Sequence, residues 1–180
     1  MKRLWPSFLV MAVAATLAAA VQEFAPPLGA LRLKPPLLCA VVVYYAMRRE
    51  PVFAAAAAVA CGAAEDALSG VPGAVSLVVF CAGAWFLAKR FRPQMREGAL
   101  SCAVAGFAAA PIALAAQYFA MRLGGGLAPQ PAWHVAARIV AAAPLGFLAA
   151  FAAARALFAL DWISANVEDA GEDGDDDLAA

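Results

Sequence analysis

Apolar residues gather in six runs along the chain, each closed by charge, proline or glycine. They run from Trp5 to Val21, Pro35 to Met47, Pro51 to Leu68, Pro72 to Ala88, Ala99 to Met121 and Trp133 to Leu160. A helix crossing the hydrocarbon core of a membrane needs about 20 residues, within a range of roughly 17–25. Five of the runs reach that range and predict spanning helices. The second holds thirteen residues. It either begins upstream, with Arg32 and Lys34 snorkelling to the interface, or crosses as a short or tilted span. Tyr44 and Tyr45 would then sit at its far interface as aromatic anchors. Pro6 and Pro51 suit the first turn of a helix, where the missing N–H costs nothing, and Pro72 starts the fourth run. Pro111 falls inside the fifth run and predicts a kink.

The connections are short and distinctive. Gln22 to Lys34 is polar and broken by Pro26 and Pro27. Arg48-Arg49-Glu50 separates the second run from the third. The stretch Gly62-Ala63-Ala64-Glu65-Asp66-Ala67-Leu68-Ser69-Gly70-Val71-Pro72-Gly73 joins the third run to the fourth, and places two adjacent carboxylates between apolar segments. A basic loop with Lys89, Arg90, Arg92 and Arg96 follows the fourth run, and Gly124-Gly125-Gly126 opens a flexible link to the sixth. These features organise the chain as a transmembrane helical domain over 1–163 and an acidic tail over 164–180. The tail's Gly and Asp content predicts disorder.

Composition makes the membrane the expected solvent. Of the 180 residues 65% are hydrophobic, against roughly 45–50% apolar content in soluble domains, and a chain this short cannot hide so much apolar surface in one aqueous core. The zero net charge conceals an asymmetry. All thirteen Lys and Arg precede Asp161, whereas eight of the thirteen acidic residues lie at or after it. Six spans with the N-terminus inside put nine of those basic residues on the cytoplasmic side, and Arg32, Lys34, Arg122 and Arg138 outside. The positive-inside rule therefore favours two cytoplasmic termini. Ala18-Ala19-Ala20 would also suit a signal-peptide cleavage site, but with spans throughout the downstream chain an uncleaved first helix is the simpler expectation.

Candidate chemistry centres on Glu65 and Asp66. Successive helical residues point about 100° apart, so one should look into the bundle or along the turn and the other should reach water. Asp66 either anchors the turn, by accepting from N–H groups near Ser69 and Gly70 or by capping the next helix, or forms a contact site at the outer mouth. Arg138 lies about one turn into the sixth helix and needs a partner, so an acid of this turn is expected to approach it. His134 reads as an interfacial structural residue. The loop Lys89 to Arg96 reads chiefly as a topology determinant, with anionic lipid as a further partner. Cys39, Cys61, Cys81 and Cys102 sit one per segment without metal-binding spacing and read as packing residues. Ala58-x-x-x-Gly62, Ala14-x-x-x-Ala18 and Ala15-x-x-x-Ala19 permit close helix packing. The sequence has no P-loop, H-E-x-x-H or G-x-S-x-G. No catalytic, cofactor or metal site is expected, and no nucleic-acid partner.

One section of the chain resembles a known family. Lys34-Pro35, a short apolar run ending in Tyr44-Tyr45-Ala46-Met47-Arg48-Arg49, an Ala-rich helix ending in Glu65-Asp66-Ala67-Leu68-Ser69-Gly70-Val71-Pro72-Gly73, and a span into a basic loop are similar to MreD, the bacterial rod shape-determining membrane protein. The matching positions are Gly62, Asp66, Leu68, Gly70, Pro72 and Gly73, within a section from Lys34 to Arg92. One departure is that Pro36 follows Pro35 where the family often carries an acid. The resemblance implies a six-helix fold similar to the substrate-binding subunits of energy-coupling-factor vitamin transporters. It also implies a non-enzymatic scaffold of the cell-wall elongation machinery (the elongasome) in the inner membrane. The implied partners are MreC directly, and MreB, RodA and its transpeptidase indirectly, in peptidoglycan synthesis. Glu65, Asp66, Gly70, Pro72 and Gly73 would form the structural and partner-contact turn; the ion pair with Arg138 is expected from the topology, since Arg138 lies outside the resembling section. The alternative is the substrate-binding subunit of a vitamin-type transporter, which requires a polar, solute-sized cavity opening outward.

Overall fold

The shortest apolar run builds the centre of the molecule. In the computed structural model, α1 spans Leu4–Phe24, α2 Leu37–Arg48, α3 Pro51–Ser69, α4 Val75–Phe86, α5 Ala99–Leu123 and α6 Ala132–Ile163. A π-helical segment, Leu87–Phe91, and a 3-10 turn, Arg92–Gln94, extend α4. The structure describes residues 4–28, 31, 33–70, 73–94, 98–124 and 130–163. Pro72, Arg96 and the acidic tail over 164–180, all singled out in the sequence, lie outside the described residues.

Helix α2 packs against all five other helices, and every residue from Leu38 to Met47 is buried. That explains its uniformly apolar sequence: a helix with neighbours on all sides has no polar face. At 1.5 Å per residue its twelve residues cover about 18 Å, well under the roughly 30 Å of a hydrocarbon core. It starts at Leu37 and gains no upstream turn. The expected interfacial tyrosines are therefore a correction. Tyr44 and Tyr45 are 3% and 1% exposed and meet edge-to-face, ring centroids 5.4 Å apart. Packed against five other helices, this short helix keeps both rings within protein.

Four helices among the described residues, α1, α3, α5 and α6, are long and apolar enough to cross a membrane. Their outward faces carry Leu9, Leu17, Phe119, Ile112, Val140 and Leu148, all largely exposed. So many large apolar side chains exposed on helices of this length are consistent with a membrane protein. α5 and α6 continue through Pro111 and Pro144, as membrane helices tolerate when neighbours support the freed carbonyls.

The helices alternate in direction. The end of α1, the start of α2, the end of α3, the start of α4 and the end of α5 are joined by side-chain hydrogen bonds described below. At the opposite end Phe8 of α1 meets Phe53 of α3 at 4.8 Å. There Arg48 of α2 lies over the Phe158 ring of α6 at 5.4 Å, and Arg92 donates to the Arg49 carbonyl at 2.8 Å. This second end gathers Arg48, Arg49, Lys89, Arg90 and Arg92.

Two glycine contacts set the tightest packing. A Cβ on Gly62 of α3 would stand 2.5 Å from Cα of Leu77 in α4. Gly106 of α5 and Gly146 of α6 face each other: a Cβ on Gly106 would lie 2.6 Å from the Gly146 carbonyl oxygen, and one on Gly146 would strike the Gly106 carbonyl in turn. Backbone approach of this kind is how helices associate where lipid removes the hydrophobic drive. Ala14, Ala18 and Ala58 are buried; the Gly106–Gly146 crossing was not among the pairs picked out in the sequence.

The Gly62 contact gives a test. Gly62→Ala forces backbone apart and should destabilise the protein by about 1–3 kcal/mol, the usual cost of overpacking. Gly83→Ala, with nothing within 4 Å of the added Cβ, should be neutral or slightly stabilising. Thermal unfolding of both variants in detergent checks the contrast.

Candidate functional site

Two helices begin with residues that cannot cap them. The first N–H groups of a helix have no partner inside it, and in an apolar bundle each unmet donor costs free energy. α2 begins after Pro36 and α4 after Ala74, and neither N-cap residue makes a side-chain hydrogen bond. Both starts are completed by side chains from other helices.

At α2, Pro36 has φ −81° and ψ 66°, an inverse γ-turn in which the Leu37 N–H donates to the Pro35 carbonyl at 2.9 Å. The next donor, the Leu38 N–H, bonds Oε1 of Gln22 from α1 at 3.2 Å. At α4, the Ser76 N–H donates to Oδ1 of Asp66 at 2.8 Å and the Leu77 N–H to Oδ2 at 3.1 Å. Asp66 is thus the cap of the following helix, one of the two anchoring modes expected for it. Its negative charge also lies at the positive end of the α4 dipole. Both acids are half-buried. The intervening turn uses left-handed backbone at Gly70 (φ +64°) and Gly73 (φ +87°). Ala74 follows at φ +54°, a conformation costing an L-residue roughly 1–2 kcal/mol and held here by the two Asp66 bonds just beyond it.

Glu65, about 100° around the helix from Asp66, turns inward. Oε2 accepts from Gln22 Nε2 at 2.6 Å and Oε1 from Gln117 Nε2 of α5 at 3.3 Å. Gln117 Nε2 also donates to Ser76 Oγ at 2.9 Å, and Ser69 Oγ donates to the Glu65 carbonyl at 2.6 Å. One carboxylate therefore links α1, α3 and α5, and through its two amide partners reaches α2 and α4. Gln22 is 8% exposed and Ser76 1%.

These groups form part of the wall of a cavity of about 350 Å³. Its polar lining includes Gln22, Glu65, Gln117 and Arg138; its apolar lining includes Leu68, Phe80, Leu114 and Leu145. Lys34 and Glu23 also line it and pair with each other at 3.1 Å, both largely exposed. Arg138 shares the cavity with Glu65, as expected from their common end of the bundle, but among the described residues no ion pair joins them. The Arg138 Nε is buried without a hydrogen-bond partner.

Other residues singled out in the sequence lie elsewhere. His134 stacks edge-to-face on Trp133 at 5.5 Å and is not on the cavity wall. Arg122 donates to Tyr118 Oη at 3.3 Å on the surface. In the basic loop Lys89 lies over the Trp85 ring at 5.0 Å, Arg90 is exposed, and Arg92 holds the Arg49 carbonyl. Cys39, Cys61 and Cys102 are buried and Cys81 half-buried, all four as free thiols. Among the described residues no group of His, Cys, Asp and Glu is arranged to hold a metal ion. Gln22, Gln117 and Ser76 were not singled out in the sequence. The available signal was a lone amide or hydroxyl within or beside an apolar run, where an unbonded polar group is expensive.

The cap at α4 is directly testable. Asp66→Ala removes both acceptors and should lower stability by about 1–2 kcal/mol, read as reduced accumulation and a lower unfolding temperature. Asp66→Asn keeps one oxygen acceptor and should retain roughly half of that stability.

Comparison of the chain with protein-family models, with curated proteins and with solved structures finds no match to any of the three.

Proposed function

We propose that this chain is a non-enzymatic membrane scaffold of the bacterial cell-wall elongation machinery, binding MreC in the inner membrane and linking it to the peptidoglycan-synthesis complex. The supporting observation is the work done by the residues that carry the MreD resemblance. Gly62 seats α3 on the α4 backbone, Asp66 caps α4, and Gly70 and Gly73 turn the chain between them. All four are architectural, as a scaffold requires. In this reading the shorter α2, enclosed by the other helices, and α4, half-exposed on its outer face, join the four long helices in one membrane bundle. The end rich in Arg48, Arg49, Lys89, Arg90 and Arg92 faces the cytoplasm with both termini, where it also meets anionic lipid. Partner helices pack on the outer faces through small residues, and MreB, RodA and its transpeptidase are reached through the complex.

A second reading, the substrate-binding subunit of a vitamin-type transporter, draws support from the cavity. Few polar residues lie in the spans, yet the fold collects Gln22, Glu65, Gln117 and Arg138 around one space.

Mild crosslinking in the native membrane, followed by purification of the chain and identification of what accompanies it, separates the two. The scaffold reading expects MreC and elongation enzymes. Recovery of an ATPase-coupled transporter module without them would overturn it. Asp66→Asn, if it accumulates normally, should leave MreC recovery intact, since its role is within the chain.

A further inference from the structure

Glu65 and Arg138 line the same cavity, and among the described residues neither forms an ion pair. Among the described residues the Glu65 carboxylate is hydrogen-bonded only to the neutral amides of Gln22 and Gln117 and, of roughly four lone-pair positions, keeps about two unused. The Arg138 guanidinium, with five N–H donors, makes no hydrogen bond among the described residues, and its Nε is buried. Lys34 and Glu23 satisfy each other at 3.1 Å and cancel. Among the described residues that leaves one anion and one cation on the wall of the same space, beside Leu68, Phe80 and Leu145.

Leaving a guanidinium nitrogen buried and unmet is costly, and collapse of the two charges onto each other would have removed the cost. Instead a space of about 350 Å³ lies beside them, at the lower end of the roughly 300–1,000 Å³ typical of small-molecule sites. We infer that the cavity binds a zwitterionic group on a short apolar body: its ammonium donates to Glu65 and its anionic group accepts from Arg138, with the apolar part against Leu68, Phe80 and Leu145. Such a group is supplied either by a free apolar amino acid or by the head of an ethanolamine phospholipid. The ligand is independent of the partner reading, because a scaffold without it would still recover MreC while failing every binding probe below.

The test uses the full-length chain in phosphatidylcholine nanodiscs, whose quaternary ammonium offers no N–H donor. Thermal unfolding is followed with added leucine, with 4-methylpentanoate, which lacks the ammonium, and with 3-methylbutylamine, which lacks the carboxylate. A parallel arm replaces part of the phosphatidylcholine by phosphatidylethanolamine with no solute added. The expected result is a concentration-dependent rise in unfolding temperature in one of the two arms, which identifies the source. If leucine is the source, each single-charge analogue should bind about tenfold more weakly or worse, the loss of one charge-assisted pair. Arg138→Gln should abolish the response without lowering the unliganded unfolding temperature, because Arg138 makes no hydrogen bond among the described residues, and Arg138→Lys should restore part of it. The inference is overturned by no rise in either arm, by 4-methylpentanoate matching leucine, or by an undiminished response in Arg138→Gln.

Discussion

A helix that begins inside an apolar bundle must find acceptors for its first N–H groups somewhere other than water, and most of this structure follows from that constraint. α2 and α4 each start behind a residue with no capping side chain. Their donors are met by Gln22 from α1 and Asp66 from α3. Because the caps come from neighbouring helices, the starts of α2 and α4 are fixed relative to the ends of α1 and α3. Glu65, beside Asp66, then ties Gln22 to Gln117 and extends the same polar cluster to α5. Hydrogen bonds are directional, whereas packing of alanine against alanine is permissive. In a bundle so rich in small apolar residues, the polar cluster supplies register that packing alone would leave weakly specified.

The glycine contacts and the polar cluster support each other. Gly62 lies one helical turn before Asp66, and lets the α4 backbone at Leu77 come close enough for the Asp66 carboxylate to bond the Ser76 and Leu77 amides. At the other side of the bundle Gly106 and Gly146 bring α5 and α6 into backbone contact. Arg138 is then left on the wall of a cavity it shares with Glu65. The cavity therefore lies where the polar ends of the helices converge, and its position is a consequence of how the short helices are capped.

Much of the architecture was legible in the sequence: six helices, the turn after Ser69, the placement of Glu65 and Arg138 at one end and the basic loop at the other, although the fourth run, expected to span, forms an α-helix of only twelve residues, Val75–Phe86. The 100° spacing of helical residues separated the directions of the adjacent acids, and capping of the next helix was one of the roles open to Asp66, but which acid faces the bundle was not legible. Other features were not legible, for physical reasons. The length of α2 suggested a deficient span, but nothing local reveals that five helices enclose it, so Tyr44 and Tyr45 looked like interfacial anchors. Gln22 reads as the start of a loop because its role depends on an N–H sixteen residues away. Gln117 and Ser76 each look incidental until α4 and α5 are brought together. Gly106 and Gly146 belong to different helices, and their contact has no signature in either one.

The central claim is that side chains of α1 and α3 cap the starts of α2 and α4 across the bundle, and amide hydrogen exchange of the full-length protein tests it most directly. The account predicts that Gln22→Ala speeds exchange at Leu38 while leaving Ser76 and Leu77 less affected, and that Asp66→Ala speeds exchange at Ser76 and Leu77 while leaving Leu38 protected. Unchanged exchange at those amides in both variants, or uniform loss of protection through all six helices in each, would contradict it.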